Sequence, residues 1–278
     1  MQALGPVDTR PLFLPLHREL MTLLRDLDLA DWSRPTVAGR WCVRDVAAHL
    51  LDVQGRDVSI LRDGHLVPPD GPISGYDDLV AFLDRLNADW IRATNRLSPR
   101  LLLELLETVG EQAAATLADQ AMDTAATFAV DWAGQDQSRQ WMHVGRQYTE
   151  YWHHQMQIRD AVDVPRLLTS QWLRPLLDLS IRVLPRTYQA VDAPVGTTLT
   201  LTVDEAGAWT LSRAAEGWTL SFGAPESSTT HVRLSADESW RLFYNARTLE
   251  DARRKAEISG DARWAEPLWR ARSAMVRT

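Results

Sequence analysis

Residues 146–161 read RQYTEYWHHQMQIRDA, and this stretch decides what the rest of the chain is for. It sits within a helical pattern running from about Ser138 to Val162 and ending before Pro165. Glu150 and His154 are four residues apart, a spacing that stacks two side chains on one helix face. A carboxylate oxygen and an imidazole nitrogen then point the same way, as two ligands of one ion do. The same spacing also describes a hydrogen-bonded surface couple, so a metal reading needs a third donor from another helix. His49, in the segment AAHLLD on the apolar-faced helix from about Val43 to Arg62, is the candidate. Helical bundles build metal sites in this way, from facing helices.

Two histidines with one carboxylate suit zinc, with iron, nickel or manganese also compatible. Three protein ligands leave a coordination position open, the pattern of catalytic rather than structural sites. His143 lies seven and eleven residues before Glu150 and His154, which returns it to within about 20° of their direction. It is a candidate fourth ligand, proton carrier or pocket wall. His153 points about 100° away from His154 and is not expected to be a co-ligand.

Working outward, the first half reads as helices at 11–27, 43–62, 76–97, 99–117 and 138–162. Ser98 caps the fourth helix ahead of Pro99. Long helices with short breaks predict an up-and-down bundle. The second half changes character near Pro165–Ser170. After a helix at 171–187, alternating runs at 197–203, 208–213, 218–222 and 230–234 are separated by turn residues and predict an antiparallel meander. A helix at 236–244, a strand at 256–259 and a final helix ending near Met275 complete an α+β pattern. The expected division is a metal-binding helical bundle over 1–166 and an α+β domain over 167–278.

Composition narrows the function classes. With 278 residues and 45% hydrophobic content, the chain is large enough for one large or two modest globular domains. Its formal charge of −7 removes the basic face that nucleic-acid binding requires. No apolar run approaches the roughly 20 residues of a membrane span, and the N-terminus lacks a signal-peptide pattern, so the expected location is the cytoplasm. The single cysteine, Cys42, forms no intrachain disulfide and offers no cysteine-based zinc motif. The twelve tryptophans mark packed cores or aromatic-lined pockets. The Arg- and Ala-rich composition resembles that of high-GC actinobacterial proteins.

Two blocks taken together carry a family resemblance. Gly39-Arg-Trp-Cys-Val-Arg-Asp-Val-Ala-Ala-His-Leu50 and Glu150-Tyr-Trp-His-His-Gln-Met-Gln-Ile-Arg159, about a hundred residues apart, resemble the mycothiol-dependent maleylpyruvate isomerase family of the DinB-like metal-binding superfamily. The matching positions are Trp41, Val43, Asp45, Ala48, His49 and Leu50, then Glu150, Trp152, His154, Ile158 and Arg159. The resemblance implies a DinB-like four-helix bundle followed by a smaller, sterol-carrier-like α/β domain. It implies His49, Glu150 and His154 as ligands of a divalent metal, and a low-molecular-weight thiol such as mycothiol as co-substrate. It also implies a small electrophile as substrate, isomerised or S-transferred by a thiolate. Trp240-Arg-Leu-Phe-Tyr-Asn-Ala-Arg247 resembles a C-terminal stretch whose arginine faces the active site, so Arg247 is a candidate contact for a substrate carboxylate; Arg56, seven residues beyond His49 on the same helix face, is a lesser candidate, its position equally that of a solvent-facing ion-pair residue. The chain departs from the pattern at Cys42, Gln157 and Ala246, where the family has a small hydroxyl residue, Asp and Gly. A non-catalytic binding or regulatory protein and a metal-dependent hydrolase are the alternative readings. Monomer and dimer are both compatible.

Overall fold

The computed structural model describes residues 1–274. The chain divides into two compact units. One takes residues 8–124 and 147–166; the other takes residues 1–7, 125–146 and everything described from 167 onward.

The first unit is the bundle. It holds α1 (Phe13–Arg25), α2 (Val43–Asp57), α3 (Tyr76–Thr94), α4 (Pro99–Ala118) and the larger part of α5 (Gln140–Ala161). The apolar stripe of α1, through Leu16, Leu20, Leu23 and Leu24, is buried against α4. Gly110 weakens α4 by about 1 kcal/mol relative to Ala, yet a Cβ there would lie 2.1 Å from the His17 ring of α1, so only glycine permits this approach. Phe13 meets α5 edge-on through Tyr148 and Tyr151, with ring centres 6.3 and 5.6 Å away. Helix α2 runs on without a break into a π-helical turn at Val58–Arg62, then stops before Gly64, whose φ is +67°. Ser98 accepts a hydrogen bond from the Leu101 N–H at 3.2 Å and caps α4 as the sequence predicts.

The second unit is α+β. Its sheet has the order β1-β4-β3-β2-β5-β6, with β1 (Gln2–Ala3), β2 (Thr198–Val203), β3 (Gly207–Ala214), β4 (Gly217–Phe222), β5 (Thr230–Leu234) and β6 (Glu257–Gly260). Helices α6 (Ser170–Ser180), α7 (Leu184–Thr187), α8 (Ala236–Phe243) and α9 (Leu249–Lys255) belong to the same unit.

Four features differ from the pattern read along the chain. First, the two compact units are not continuous segments. Residues 1–7 leave the bundle because β1 pairs with β4, and 125–146 leave it with contacts such as Arg182 over the Trp141 ring at 4.8 Å. Second, the fourth strand does not continue a meander. Strands β2, β3 and β4 are antiparallel neighbours, but β5 pairs in parallel with β2 on its far side. The connection 223–229 crosses the sheet, and hydroxyls on that face receive it. Thr210 Oγ1 donates to the Gly223 carbonyl at 2.7 Å, and Thr200 Oγ1 pairs with Ser228 Oγ at 2.5 Å. Threonine suits both demands, since its branch favours a strand and its hydroxyl satisfies crossing backbone. Third, the helix expected over 171–187 is broken into α6, a 3₁₀ turn at Ile181–Val183 and α7. Fourth, the last helix is a 3₁₀ segment, Ala262–Arg270, interrupted by Pro267; its expected end at Met275 lies outside the described residues. Among the described residues, no helix is long and apolar enough to cross a membrane.

Candidate metal centre

The site is built inside the bundle, from α2, α5 and the turn before α2. Gly39, with φ +69°, turns the chain so that Trp41 precedes the helix. Cys42 is the N-cap of α2, and Asp45 Oδ2 accepts from its backbone N–H at 3.1 Å and from its Sγ at 3.3 Å. The cap therefore works through the Asp45 carboxylate, and the departure from a hydroxyl residue leaves the helix start intact. Burial pushes the Cys42 thiol up.

The register of α5 against α2 is fixed by a buried carboxylate. Asp57 accepts from the Tyr151 hydroxyl at 2.6 Å and from the Gln147 side-chain amide. Those two residues bracket Glu150, so the clamp aims Glu150 at His49. His49 Nε2 lies 3.1 Å from Glu150 Oε1, and His154 Nε2 lies 3.0 Å from the same oxygen. The three donor atoms lie within 4.8 Å of one another. Ligands at zinc bond lengths in a tetrahedron stand about 3.4 Å apart, so the donor set is close to size.

The hydrogen-bond partners of His154 make the case sharper. His154 Nδ1 donates to Gln157 Oε1 at 2.8 Å. In the neutral imidazole the other nitrogen then carries a lone pair, and that lone pair faces the Glu150 oxygen. Two acceptors 3.0 Å apart repel unless a positive charge lies between them. A proton supplies it to one pair; a divalent ion supplies it to all three donors. Burial, then the neighbouring His154, lowers His49 to about 4, so it stands ready as a neutral ligand. Burial works to raise the Glu150 carboxyl, but His154 and His49 overcome it and hold the group well below its usual range. The side chains of His49 and His154 are 5% and 8% exposed while that of Glu150 is 25% exposed, so the donor set is open on the Glu150 side.

Neighbours brace the rings. Trp41 covers His49 at 4.9 Å and His154 at 6.2 Å between ring centres. His153 stacks on His154 at 4.0 Å and donates through Nδ1 to the Thr149 carbonyl at 2.8 Å, so it supports the site from outside the donor set, as its helical angle predicts. Trp41 and Gln157 are the participants that residue spacing alone did not single out. Gln157 sits three residues after His154, the reach of a side-chain partner on the same helix, and that is the signal that points to it. Because the outer partner of a ligating imidazole sets its tautomer, Gln157→Leu is expected to weaken zinc binding by about 10–100-fold. Competition with a chromophoric chelator measures this; unchanged affinity would remove Gln157 from the site.

The two remaining candidates belong to the other compact unit. His143 is 2% exposed, contacts the Phe128 ring at 6.0 Å and has Arg146 Nη2 3.5 Å from its Nδ1. Burial, then the Arg146 charge, lowers it to about 3. Arg247 donates through Nε and Nη2 to the two oxygens of Glu238, at 2.9 and 2.7 Å, and Lys255 Nζ shares Glu238 at 3.0 Å.

Comparison with known proteins fits this architecture. Two crystal structures are similar over most of the chain. A histidine-to-alanine mutant of the mycothiol-dependent maleylpyruvate isomerase matches with a TM-score of 0.54 and 12% identity, covering 93% of this chain and 96% of that one. The unmutated mycothiol-dependent maleylpyruvate isomerase matches with a TM-score of 0.50 and 15% identity, covering 87% and 91%. At these identities the likeness establishes a shared fold. Comparison with curated proteins returns no match. The model of the mycothiol maleylpyruvate isomerase N-terminal domain matches residues 13–159, more than half of the sequence, from the start of α1 to the arginine that closes the second motif block. By that match, this chain belongs to the mycothiol maleylpyruvate isomerase N-terminal domain family.

Proposed function

We propose that this protein is a metal-dependent enzyme that uses a low-molecular-weight thiol, of the mycothiol type, as a thiolate for S-transfer to, or isomerisation of, a small electrophile. The observation that carries the proposal is the convergence of His49, Glu150 and His154 on one point with an open side, in a chain of this family. A divalent ion held there, zinc by ligand type, supplies the charge that keeps a bound thiol ionised at neutral pH. A free thiol with a pKa near 8.5 is only about 3% thiolate at pH 7, so ionisation alone raises the reactive fraction about thirtyfold.

The chain's own residues divide the remaining work. His49, Glu150 and His154 hold the ion, Gln157 and His153 fix the His154 ring, and Trp41 shields the donors from water. His143, neutral with a pKa of about 3, is poorly matched to proton uptake near pH 7 and serves as a neutral hydrogen-bonding side chain. Arg247 is engaged through both Nε and Nη2 by Glu238.

Turnover of maleylpyruvate or of a bimane electrophile by the zinc-loaded protein tests the reading. Turnover is expected only with mycothiol present and is expected to be lost when the thiol is omitted. Metal-dependent turnover without thiol would point to a hydrolase instead. An unreactive, metal-free protein that still binds small molecules would point to a binding function.

A further inference from the structure

We infer that Gln157 is a positioning residue that keeps the metal centre weakly donating. An ion held there is bound more loosely, and draws a donor to its open side more strongly, than an ion whose histidines are backed by a carboxylate. The inference rests on the proposed function for its setting and adds how the site is tuned. It starts from the outer nitrogens of the two ligand imidazoles. His49 and His154 both present Nε2 to Glu150. With Nε2 on an ion, each neutral ring carries its proton on Nδ1. The group that accepts that proton decides how much electron density the ring passes on, because a carboxylate partner raises the basicity of a ligating imidazole.

Neither ring has such a partner. His154 Nδ1 lies 2.8 Å from Gln157 Oε1, the oxygen of a neutral amide. His49 Nδ1 is buried and, among the described residues, has no hydrogen-bond partner. The acidic side chains of the two ligand helices are engaged elsewhere. On α2, Asp45 accepts from Cys42, Asp52 pairs with Arg56 at 3.0 Å, and Asp57 accepts from Tyr151 and Gln147. On α5, Asp160 pairs with Arg166. Glu150 is therefore the single anion of the donor set, and a divalent ion keeps one positive charge uncompensated.

Gln157 is the residue through which this balance is set. It is 5% exposed, so its hydrogen bond to His154 is shielded from water. A hydrogen bond to an ionised acceptor is about twice as strong as one to a neutral acceptor, and the difference counts most where the dielectric is low. Two effects of opposite sign follow. Weaker donation from His154 loosens the ion. The charge left on the ion strengthens its attraction for a sulfur donor on the side where Glu150 is exposed.

The test places a carboxylate behind His154 in the full-length chain, as Gln157→Glu and, one methylene shorter, Gln157→Asp. Zinc affinity is measured by chelator competition. Affinity for 2-mercaptoethanol is measured on the cobalt(II)-loaded protein from its sulfur-to-metal charge-transfer band. Gln157→Glu is expected to bind zinc about tenfold or more tightly than the wild type and to lose affinity for the thiol. Gln157→Asp is expected to move both in the same directions, and it carries the test if the Glu variant does not fold. A side chain that merely packs against His154 predicts no gain in zinc affinity from either change. Zinc affinity unchanged or weakened in the folded carboxylate variants, thiol affinity rising together with zinc affinity, or loss of the fold in both variants by circular dichroism would each overturn the inference. The outcomes separate it from the function proposed above. Tighter zinc in the carboxylate variants, with no sulfur band in any chain, leaves the tuning of the ion standing and removes the thiol enzyme. Thiol-dependent turnover with zinc affinity indifferent to a carboxylate at position 157 does the reverse.

Discussion

His49→Ala protein is expected to bind zinc about a thousandfold more weakly than the wild type. Removing one of three protein ligands takes away roughly a third of a binding free energy that reaches about 10 kcal/mol or more in well-formed zinc sites. The loss is larger than that of the imidazole alone, because Glu150 and His154 remain buried with the ion no longer held between them. Two measurements report it. Zinc competition with a chelator gives the affinity directly. Thermal unfolding gives it by linkage, since an ion at a hundred times its dissociation constant stabilises the native state by about 2.7 kcal/mol. Zinc should raise the melting temperature of the wild type and leave that of His49→Ala unmoved. His153→Gln serves as the neighbouring control. Its ring braces His154 from outside the donor set, so one equivalent of zinc is expected to remain. Wild-type affinity in His49→Ala would place the ion elsewhere and dissolve the site.

The metal-free protein is expected to lose stability steeply as pH falls from about 6.5 toward 4. Burial lowers His49 to about 4 and His143 and His153 to about 3, whereas an unfolded imidazole titrates near 6.5. Between those values the unfolded chain binds protons that the native chain refuses. Unfolding is therefore favoured by acid, and the stability is present above the unfolded value and lost below it. Three such groups give a limiting slope of about 4 kcal/mol per pH unit. That is a large fraction of a typical total of about 5–15 kcal/mol, so unfolding is expected near pH 5. Glu150, held low by the two histidines, adds to the loss below its own unfolded range near 4.3. Urea midpoints measured in chelator across this window give the slope. Replacing His143 by Gln should remove about a third of it. A flat profile down to pH 5 would mean that these imidazoles are hydrated and protonated in the native state, contrary to their burial.

Both expectations begin from residues that local pattern exposes well. The i,i+4 spacing of Glu150 and His154 follows from helix geometry, and the helix survives tertiary packing almost as read, at Gln140–Ala161. The Ser98–Pro99 start of α4 is equally local and equally legible. The strands of the second half were visible in their alternation and turn residues, because those signals act between neighbours along the chain. The pairing of β5 with β2 was not. A parallel partner is chosen across the sheet, by the length of 223–229 and by the hydroxyls of Thr200 and Thr210 that receive it. Nor was the departure of 1–7 and 125–146 from the bundle legible, since it depends on β1 finding an open edge at β4. His49 shows the same limit at the site. Its place on the apolar face of α2 could be read, yet only packing buries its Nδ1 without a partner among the described residues.

The sequence by itself determined two blocks of ligand-type residues, the helices that carry them, and membership of a family through residues 13–159. The tertiary structure decided that His49 Nε2 and His154 Nε2 meet on a single oxygen of Glu150, because Asp57 clamps Gln147 and Tyr151 and so sets the register between two helices nearly a hundred residues apart. It also placed Nδ1 of His154 against Gln157 Oε1 and left its Nε2 facing the Glu150 carboxylate. Spacing supplies donors on a face; only packing brings them to one point without the charge they need.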